Sequence, residues 1–305
     1  MVALRMSRIL ISGASGMIGS ALVPTLKAGG AQVVRLARAG ASSRSDGQNF
    51  PWDPSHTISP ETVSGFSAVI HLAGESIVGR WTEAKKNRIR DSRIPPTTHL
   101  AQALARAKEK PGVFICASAI GYYGNRGEEV LNEESTAGTG FAADLAQQWE
   151  SATESAAQAG IRTVRMRIGV VLGASGGALP KMLPPFKMGL GGRLGNGRQW
   201  MSWIDIHDVV GAIHHILKAD LVEGPVNMVA PKPVTNAEFT KILASTLSRP
   251  AIFPVPAFAA RLAFGQMADE LLLASQRVEP AKLISSGYPF RFADLRSSLE
   301  DVLHE

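Results

Sequence analysis

The sequence contains a single cysteine among its 305 residues. Because a single cysteine has no partner within the chain, no internal disulfide forms, which favours a reducing compartment. This residue, Cys116, lies within the apolar stretch 113–117. Neither an H-E-x-x-H nor a C-x-x-C spacing occurs, so no ligand set typical of a zinc site is present. We therefore expect a cytoplasmic protein without a bound metal.

The sequence also lacks a long hydrophobic run. No stretch approaches the roughly 18 uninterrupted apolar residues that a membrane-spanning helix requires. The N-terminus does not carry a charged region, an apolar core and a cleavage site in series. We expect neither a secreted protein nor a membrane protein. With 45% apolar residues, the chain can instead bury the core of one large α/β domain and a smaller unit.

The formal net charge of +6 is not concentrated in one segment. The densest basic cluster, 85–90, is followed directly by Asp91 and has the composition of a solvated helix face. Nucleic-acid-binding chains instead carry a basic patch or stripe. We expect no nucleic-acid partner.

Three glycines near the N-terminus carry the clearest functional signal. An apolar run of strand length, 8–12, precedes Gly13, Gly16 and Gly19, and apolar residues at helical spacing follow over 20–28. In such a unit the glycines permit a tight turn, a close approach of a pyrophosphate and close helix packing. The free N–H groups at the helix N-terminus attract phosphate. The pattern predicts a dinucleotide site, the alternative being a purely structural turn.

The residue after the second predicted strand, 32–37, distinguishes between two dinucleotides. An acidic residue there accepts a hydrogen bond from a ribose 2′-hydroxyl, whereas a cation suits a 2′-phosphate. The chain has Arg38 at this point, with Arg35 and Arg44 nearby and no acid before Asp46. Because a guanidinium binds a phosphate bidentately, NADP(H) is favoured over NAD(H). A solvated arginine is the alternative.

Strand-like and helix-like segments alternate through the first 230 residues. Strands are predicted at 8–12, 32–37, 68–72, 113–117, 162–168 and 225–229, and helices at 20–28, 83–91, 97–110, 141–159 and 209–217. This alternation predicts an α/β fold with a Rossmann-type, doubly wound parallel sheet. Ligands bind beyond the carboxyl ends of such strands, so the segments after Ser12, Leu72, Ala117 and Ile168 are where a site is expected.

The composition changes after residue 172. Glycine and proline become frequent over 173–200, which predicts a mobile loop over a substrate, and helices are predicted at 236–247 and 257–273. We therefore expect a dinucleotide-binding domain formed by 1–172 and 201–230. A small, mostly helical substrate-side domain would comprise 173–200 and 231–305. The apolar stripe within 257–273 is expected to pack on the substrate side or to form a subunit contact, which leaves the oligomeric state open.

Five segments resemble the extended short-chain dehydrogenase/reductases, the NAD(P)-dependent epimerase/dehydratase group. These are the glycine loop 13–19, H-L-A-G at 71–74, S-A-I-G-Y-Y-G at 118–124, R-I-G-V-V-L-G at 167–173 and W-I-D-I-H-D at 203–208. Segments 72–77, 80–82, 91–93, 183–192 and 267–276 more narrowly resemble an atypical subfamily, the epimerase family proteins. Its members carry an uncharacterised C-terminal domain, so the resemblance covers nearly the whole chain.

The resemblance implies a set of cofactor contacts. The pyrophosphate loop corresponds to Gly13, Ser15, Gly16, Met17, Ile18 and Gly19. The 2′-phosphate position corresponds to Arg38, the adenosine-side ribose loop to Leu72, Ala73 and Gly74 followed by Glu75, and the nicotinamide end to Val170. Arg93 is expected to make a second phosphate contact or to lie on the surface of a helix.

The chain departs from the family at the catalytic dyad. The family's Tyr acts as an acid/base with the help of a Lys four residues later, because an unperturbed phenol of pKa about 10 is a poor base. The nearest match here places Phe141 and Leu145 in these two positions, and neither side chain exchanges a proton. The family's substrate-orienting Ser corresponds to Ser118, with Ala119 as the alternative alignment.

Proton transfer therefore has to come from another group. Tyr122 and Tyr123 follow Ser118, so either phenol can serve as a catalytic group or simply as an aromatic wall. Glu75 would serve as a base if burial raised its pKa, and would otherwise bind ribose or backbone. Asp205 and Asp208 are predicted to cap a helix and to bond between domains.

Two functions are consistent with these features. The first is an NADP(H)-dependent oxidoreductase or epimerase acting on an unidentified small carbonyl or sugar-type substrate. The second is a non-catalytic NADP(H)-binding redox sensor or scaffold, which the missing dyad permits. The glycine-rich segment 173–197, together with Trp200 and Trp203, favours a substrate pocket and hence the first function.

Overall fold

The computed structural model describes residues 7–38 and 49–304. Its strands are β1 (Arg8–Ser12), β2 (Gln32–Ala37), β3 (Asn49–Pro51), β4 (Ala68–His71), β5 (Val113–Ala119), β6 (Val130–Leu131), β7 (Arg162–Ile168), β8 (Val170–Leu172), β9 (Trp200–Met201), β10 (Trp203–Asp205), β11 (Gly224–Met228), β12 (Val234–Thr235) and β13 (Arg277–Val278). The central sheet has the order β11-β7-β5-β4-β1-β2-β3. All its strand pairs are parallel.

Helices cover both faces of this sheet. They are α1 (Met17–Ala28), α2 (Pro60–Val63), α3 (Glu83–Asp91), α4 (Ile94–Arg106), α5 (Phe141–Ser151), α6 (Glu154–Gln158), α7 (Leu179–Lys187), α8 (Ile206–Lys218), α9 (Asn236–Thr246), α10 (Ala257–Phe264), α11 (Ala281–Ser285) and α12 (Leu295–His304). A 3-10 helix, Ile120–Tyr123, follows β5, and a π-helix, Ala268–Leu272, follows α10. The α/β, doubly wound fold expected from the alternating pattern is confirmed.

Alternation along each strand divides the core into two layers. Ile9 and Ile11 pack with α1 and α8 on one face of the sheet. Leu10, between them, packs with α4 on the other face. Burying each such side chain contributes about 1.5–3 kcal/mol to folding. The two layers hold the carboxyl ends of the strands in one plane, where the candidate site lies. Cys116, a free thiol, is buried in the second layer.

Several predicted boundaries differ from the observed ones for local reasons. The helix expected at 97–110 begins at Ile94 and ends at Arg106. It can begin before the two prolines because the N–H groups of a first turn have no partner within the helix, so a proline there removes no hydrogen bond. The helix expected at 141–159 is divided into α5 and α6. The segment expected as a loop over 173–200 contains α7, although that helix includes prolines. Strands 8–12, 32–37 and 162–168 and helix 83–91 are confirmed to the residue.

The C-terminal segments have a core of their own. Trp203, Phe239 and Leu299 are buried together in a cluster that joins β10, α9 and α12. Asp205 caps α8 by accepting a hydrogen bond from the backbone N–H of His207. The buried Asp208 carboxylate accepts hydrogen bonds from the backbone of Arg291 and Phe292, and its predicted role as a bond between domains stays a prediction. The proposed domain boundaries themselves stay a prediction.

The apolar stripe of α10 is only partly covered. Ala260 is buried, but the side chains of Phe258 and Leu262 are 71% and 75% exposed. Packing on the substrate side does not cover these two side chains, and the alternative expectation, a subunit contact, stays a prediction. Within residues 7–38 and 49–304, no helix has both the length and the apolar content needed to cross a membrane.

Candidate dinucleotide site

The glycine loop lies where β1 meets α1. Gly13 has a φ of 71°, and a Cβ atom on it would lie 2.6 Å from the carbonyl carbon of Leu72. A Cβ atom on Gly19 would lie 2.3 Å from the carbonyl oxygen of Gly13. The two glycines therefore bring β1, the segment after β4 and α1 into direct backbone contact. No larger residue permits this arrangement without movement of the backbone.

The N-terminus of α1 is open to an anion. Its N-cap residue, Gly16, has no side chain to accept from the first N–H groups, and the first turn contains no acidic residue. Ser15 and Gly16 are exposed, and Met17 and Ile18 are partly buried. A helix end with free N–H groups and a positive dipole binds phosphate. The geometry thus fits the expected pyrophosphate contact.

The segment after β8 packs directly against this loop. Cβ atoms on Gly173 and Gly177 would lie 2.6 Å and 2.8 Å from side-chain atoms of Met17, and one on Gly176 would lie 3.2 Å away. The glycines in 173–177 therefore make room for Met17. This part of the predicted mobile cover is a close-packed junction with the glycine loop.

Arg38 follows β2 directly and is exposed. Because β2 pairs with β1, Arg38 stands beyond the same sheet edge as the glycine loop. Arg35 is partly buried within β2, whereas Arg44 and Asp46 lie outside the described residues. The position of Arg38 fits a contact to an adenosine 2′-phosphate, and the contact itself remains a prediction.

Arg93 holds the segment expected to pass the ribose. Its guanidinium donates hydrogen bonds to the carbonyl oxygens of Glu75 at 2.8 Å and Ile89 at 3.2 Å, and it lies 5.0 Å from the ring centroid of Trp149. A Cβ atom on Gly74 would lie 3.2 Å from its Cζ atom. Burial lowers the pKa of Arg93 to about 10. The surface-helix alternative is therefore wrong, while a phosphate contact stays a prediction.

A buried hydrogen-bond chain lies beneath the loop. The Thr97 hydroxyl donates its only proton to the carbonyl oxygen of Arg93 and accepts from the Trp149 indole. The third contact of that hydroxyl, 3.1 Å from Nε2 of His71, must therefore be donated by the imidazole. Nδ1 of His71 then accepts from the Ser12 hydroxyl. Complete burial lowers the pKa of His71 to about 4, so the imidazole is neutral.

Glu75 is not placed to act as a base. Its carboxylate pairs with Lys85 at 2.6 Å and Arg88 at 3.4 Å. The hydrogen bond from Lys85 lowers the pKa of Glu75 below its usual value. The condition under which Glu75 would serve as a base, a pKa raised by burial, is therefore not met.

Ser118, Tyr122 and Tyr123 surround a buried ion pair. The Ser118 hydroxyl donates to Glu150, whose carboxylate pairs with Arg167 at 2.8 Å. The Arg167 guanidinium lies 3.5 Å from the ring centroid of Tyr122 and donates to the Tyr123 hydroxyl. These contacts give Ser118 and both tyrosines structural roles in this network.

The Tyr123 hydroxyl is poorly suited to proton transfer. It is buried, and its single proton faces two acceptors, the side-chain oxygen of Asn227 at 2.7 Å and the carbonyl oxygen of Asn132 at 2.9 Å. Burial raises its pKa further above the ordinary phenol value. A catalytic role for Ser118, Tyr122 or Tyr123 has no direct test in this geometry and stays a prediction.

The position of the family dyad is filled by apolar side chains. Phe141 and Leu145 are buried with Trp81 and Met267, and the ring centroids of Phe141 and Trp81 are 4.9 Å apart. Glu270 accepts hydrogen bonds from the backbone N–H groups of Phe141 and Ala142 at the start of α5. This contact, across 129 residues of sequence for Phe141, caps the start of the helix, and the two dyad positions themselves carry no proton-exchanging side chain.

Val170 lies at the far end of the site. Its backbone N–H donates to the carbonyl oxygen of Ser202 at 2.9 Å, which ties β8 to β10. The segment 200–202 is in turn bonded to Ser275 and Gln276. Among the described residues, no three His, Cys, Asp or Glu side chains converge as a metal site would require.

Family models and sequence relatives match nearly the whole chain. The model of the NAD dependent epimerase/dehydratase family matches residues 9–228, and a domain of unknown function, DUF1731, matches residues 255–302. An epimerase family protein of Mycobacterium bovis is 43% identical over 293 residues, covering 95% of this chain and 96% of its own. The epimerase family protein YfhF of Bacillus subtilis is 37% identical over 297 residues, covering 97% of each.

Two solved structures share the fold over the same length. The human epimerase family protein SDR39U1, crystallised with NADPH, superposes with a TM-score of 0.87 at 32% identity, covering 97% of this chain and 99% of its own. A nucleoside-diphosphate sugar epimerase from Corynebacterium glutamicum gives a TM-score of 0.81 at 36% identity. It covers 97% of this chain and 58% of its own.

Proposed function

Because the chain belongs to the NAD dependent epimerase/dehydratase family, we propose that it binds NADP(H) and acts as an oxidoreductase or epimerase on a small carbonyl or sugar-type substrate. The observation that carries the proposal is the glycine loop, whose open helix N-terminus adjoins the segment 72–74 at backbone-contact distance. Arg38 beyond β2 supports NADP(H) over NAD(H). The crystallised human relative contains NADPH.

This chain's residues would hold the coenzyme and orient it. The N–H groups of α1 bind the pyrophosphate, Arg38 the 2′-phosphate, and the segment 72–74, supported by Arg93, the ribose. Val170 meets the nicotinamide end. NADP(H), when bound, supplies a hydride donor or acceptor, and the protein supplies position.

Protonation would come from water or from a group outside the family dyad. Phe141 replaces the family's tyrosine, and it is buried against Trp81. The Tyr123 phenol is engaged with Asn227 and has a raised pKa. A reaction with little demand for acid/base catalysis, such as hydride transfer to an activated carbonyl or quinone, suits this site best.

A second candidate function is that of a non-catalytic NADP(H)-binding sensor or scaffold. It is favoured by the apolar filling at Phe141 and Leu145 and by the contact of the Ser118 hydroxyl with Glu150. Apolar side chains stand at the two dyad positions, and the retained Ser118 hydroxyl is engaged by a carboxylate of the protein itself.

Turnover distinguishes the two functions. Protein saturated with NADPH is incubated with aldehydes, ketones, quinones and nucleotide sugars, and absorbance of the coenzyme is followed. The enzyme proposal predicts oxidation with at least one class. Tight NADPH binding without oxidation by any class would favour the sensor instead.

A further inference from the structure

The large apolar side chains that stay exposed are concentrated in one part of the surface. Twelve are exposed among the residues that the structure describes, and eight of these twelve lie in two segments, 188–190 and 252–264. The eight are Met188, Leu190, Ile252, Phe253, Val255, Phe258, Leu262 and Phe264. A large exposed apolar patch on a globular protein marks a site of interaction with a partner or with a membrane.

Backbone hydrogen bonds join the two segments into one surface. The N–H of Phe253 donates to the carbonyl oxygen of Gly191 at 3.2 Å, and the N–H of Val255 donates to that of Arg193 at 2.9 Å. Helix α10 follows directly along the chain, so its exposed side chains continue the same surface. This continuous surface, named the apolar face from this point on, consists of 187–193 and 249–264.

The part of the chain that forms the apolar face is basic and contains no acid. Segments 173–204 and 239–268 have no Asp or Glu. Their exposed cations are Lys181, Lys187, Arg193, Arg198, Lys241, Arg249 and Arg261. Within residues 7–38 and 49–304, Arg261 pairs with the carboxylate of Asp269 at 2.8 Å, and the other six cations have no ion pair.

A cleft of about 440 Å³ opens beside the apolar face. Two of the unpaired cations, Arg193 and Lys241, line it together with the buried Thr240. The remaining lining is small or apolar and consists of Ala237, Ala244, Ala251, Ile252 and Pro254. An oxyanion in this cleft would meet two positive charges for which the described part of the chain supplies no counter-charge.

The charge of the apolar face distinguishes between its possible partners. In a symmetric dimer the same face of each copy would meet, so the unpaired cations of one copy would oppose those of the other. Like charges across an interface disfavour association, whereas an anionic partner is attracted. Exposed Phe and Leu side chains flanked by Lys and Arg are typical of helices that lie in the interface of an anionic membrane. An anionic lipid surface therefore fits this face better than a second copy of the chain.

We propose that the apolar face docks on the surface of a membrane that contains anionic lipids. Phe258, Leu262 and their apolar neighbours enter the boundary between headgroups and acyl chains, and the cations bind lipid phosphates. The cleft beside Arg193 and Lys241 receives one headgroup. The docking is peripheral and requires no membrane-spanning segment. It does not rest on the proposed function, because no predicted coenzyme contact lies in the apolar face.

Flotation with lipid vesicles tests the proposal. The full chain is mixed with vesicles of phosphatidylcholine alone, or with vesicles of phosphatidylcholine and phosphatidylglycerol in equal amounts. Affinity for the mixed vesicles should be about tenfold or more higher, and high salt should weaken it, because the attraction of cations to an anionic surface is screened. Equal binding to both kinds of vesicle, or binding to neither, would overturn the proposal.

Two double variants assign the binding to the apolar face. Phe258→Ser with Leu262→Ser should lower the affinity for the mixed vesicles about tenfold or more, because the apolar contribution is lost. Arg193→Ala with Lys241→Ala should lower it roughly 25-fold, since each basic residue near an anionic surface contributes about fivefold. All four side chains are exposed, so both proteins should keep the thermal stability and the NADPH affinity of the wild type. Unchanged vesicle affinity in either variant would overturn the proposal.

The matched control is Arg106→Ala with Lys108→Ala, which removes two exposed cations at the end of α4. It should bind the mixed vesicles as the wild type does, and a loss equal to that of the Arg193 and Lys241 variant would overturn the proposal. Sedimentation velocity without vesicles examines the other occupant. A dimer that the Phe258 and Leu262 variant dissociates would show that a second copy covers the apolar face, and would also overturn the proposal.

Discussion

At the scale of single residues, sequence position and chemical role are separable. Arg38 follows β2 directly, and Glu75 lies four residues after the end of β4, just past the segment 72–74. Their surroundings differ, because Glu75 is paired with Lys85 and Arg88, whereas Arg38 is exposed. Ion pairs of this kind depend on α3 folding back over the segment after β4. The spacing of glycines and strand ends in the sequence does not predict that α3 packs against the segment after β4.

Replacement of Arg38 tests the choice of coenzyme. Arg38→Ala should weaken NADPH binding by about tenfold or more, because a charge-assisted hydrogen bond contributes about 1.5–3 kcal/mol. NADH affinity should be unchanged, since NADH has no 2′-phosphate. The affinities are measured by coenzyme fluorescence, with Arg106→Ala as the control. Equal losses for both coenzymes would show that Arg38 does not contact the 2′-phosphate.

His71 predicts a pH dependence of stability. Its pKa is about 4 in the folded protein and about 6.5 in a model peptide, so the unfolded chain binds the proton more readily. The contribution of the neutral imidazole is complete above about pH 6.5 and is lost as the pH falls toward 4. A shift of this size corresponds to roughly 3 kcal/mol.

The measurement is urea denaturation of wild type and His71→Gln between pH 7.5 and pH 4.5. The wild type should lose more unfolding free energy than the variant as the pH falls, because only the wild type contains the buried imidazole. Parallel decreases in the two proteins would contradict the assignment.

At the scale of elements, the most accurate predictions came from segments whose ends are signalled locally. Helix 83–91 begins after Thr82, whose side chain accepts from the backbone N–H of Lys85, and strand 162–168 comes soon after Gly160, which ends the preceding helical segment. Helix α7 was missed because Pro184 and Pro185 argue against a helix. The contact of Glu270 with the start of α5 could not be predicted either. It joins residues 129 positions apart, and no local pattern encodes it.

The glycine loop gives a prediction about β1 and α1 together. Gly13→Ala should lower NADPH affinity by more than about tenfold and destabilise the fold, because the φ of 71° and the Leu72 carbonyl oppose a Cβ atom. Gly112→Ala is the matched control, since the nearest atom to its Cβ would lie 3.5 Å away. Thermal unfolding and NADPH titration measure both effects. A Gly13→Ala protein with unaltered binding would contradict the loop assignment.

The ion pair between α5 and β7 gives a second prediction at this scale. The side chains of Glu150 and Arg167 are 11% and 4% exposed. Glu150→Gln leaves the Arg167 charge buried without compensation and should lower the unfolding free energy by about 3 kcal/mol.

The comparison variant is Glu154→Gln, whose carboxylate is half exposed and pairs with Arg165. Loss of an exposed pair should cost under about 1 kcal/mol. Similar denaturation midpoints for the two variants would show that the Glu150–Arg167 pair does not stabilise the fold.

At the scale of the whole molecule, the doubly wound parallel fold followed from the sequence, whereas the order of the strands in the sheet did not. Alternation of strands and helices predicted the parallel sheet, and the sheet placed the ends of β1, β4, β5 and β7 together. The uncovered side chains of Phe258 and Leu262 did not follow from it. Apolar residues at helical spacing predict a buried face, and only the packing of the whole chain determines which of them stay exposed.

The central claim is that the glycine loop binds NADP(H), and titration of the purified protein with NADPH and with NADH tests it most directly. Coenzyme fluorescence reports binding without knowledge of a substrate. The account predicts saturable binding of both coenzymes through the shared pyrophosphate, with NADPH bound about tenfold or more tightly through Arg38. Absence of saturable binding, or tighter binding of NADH, would contradict it.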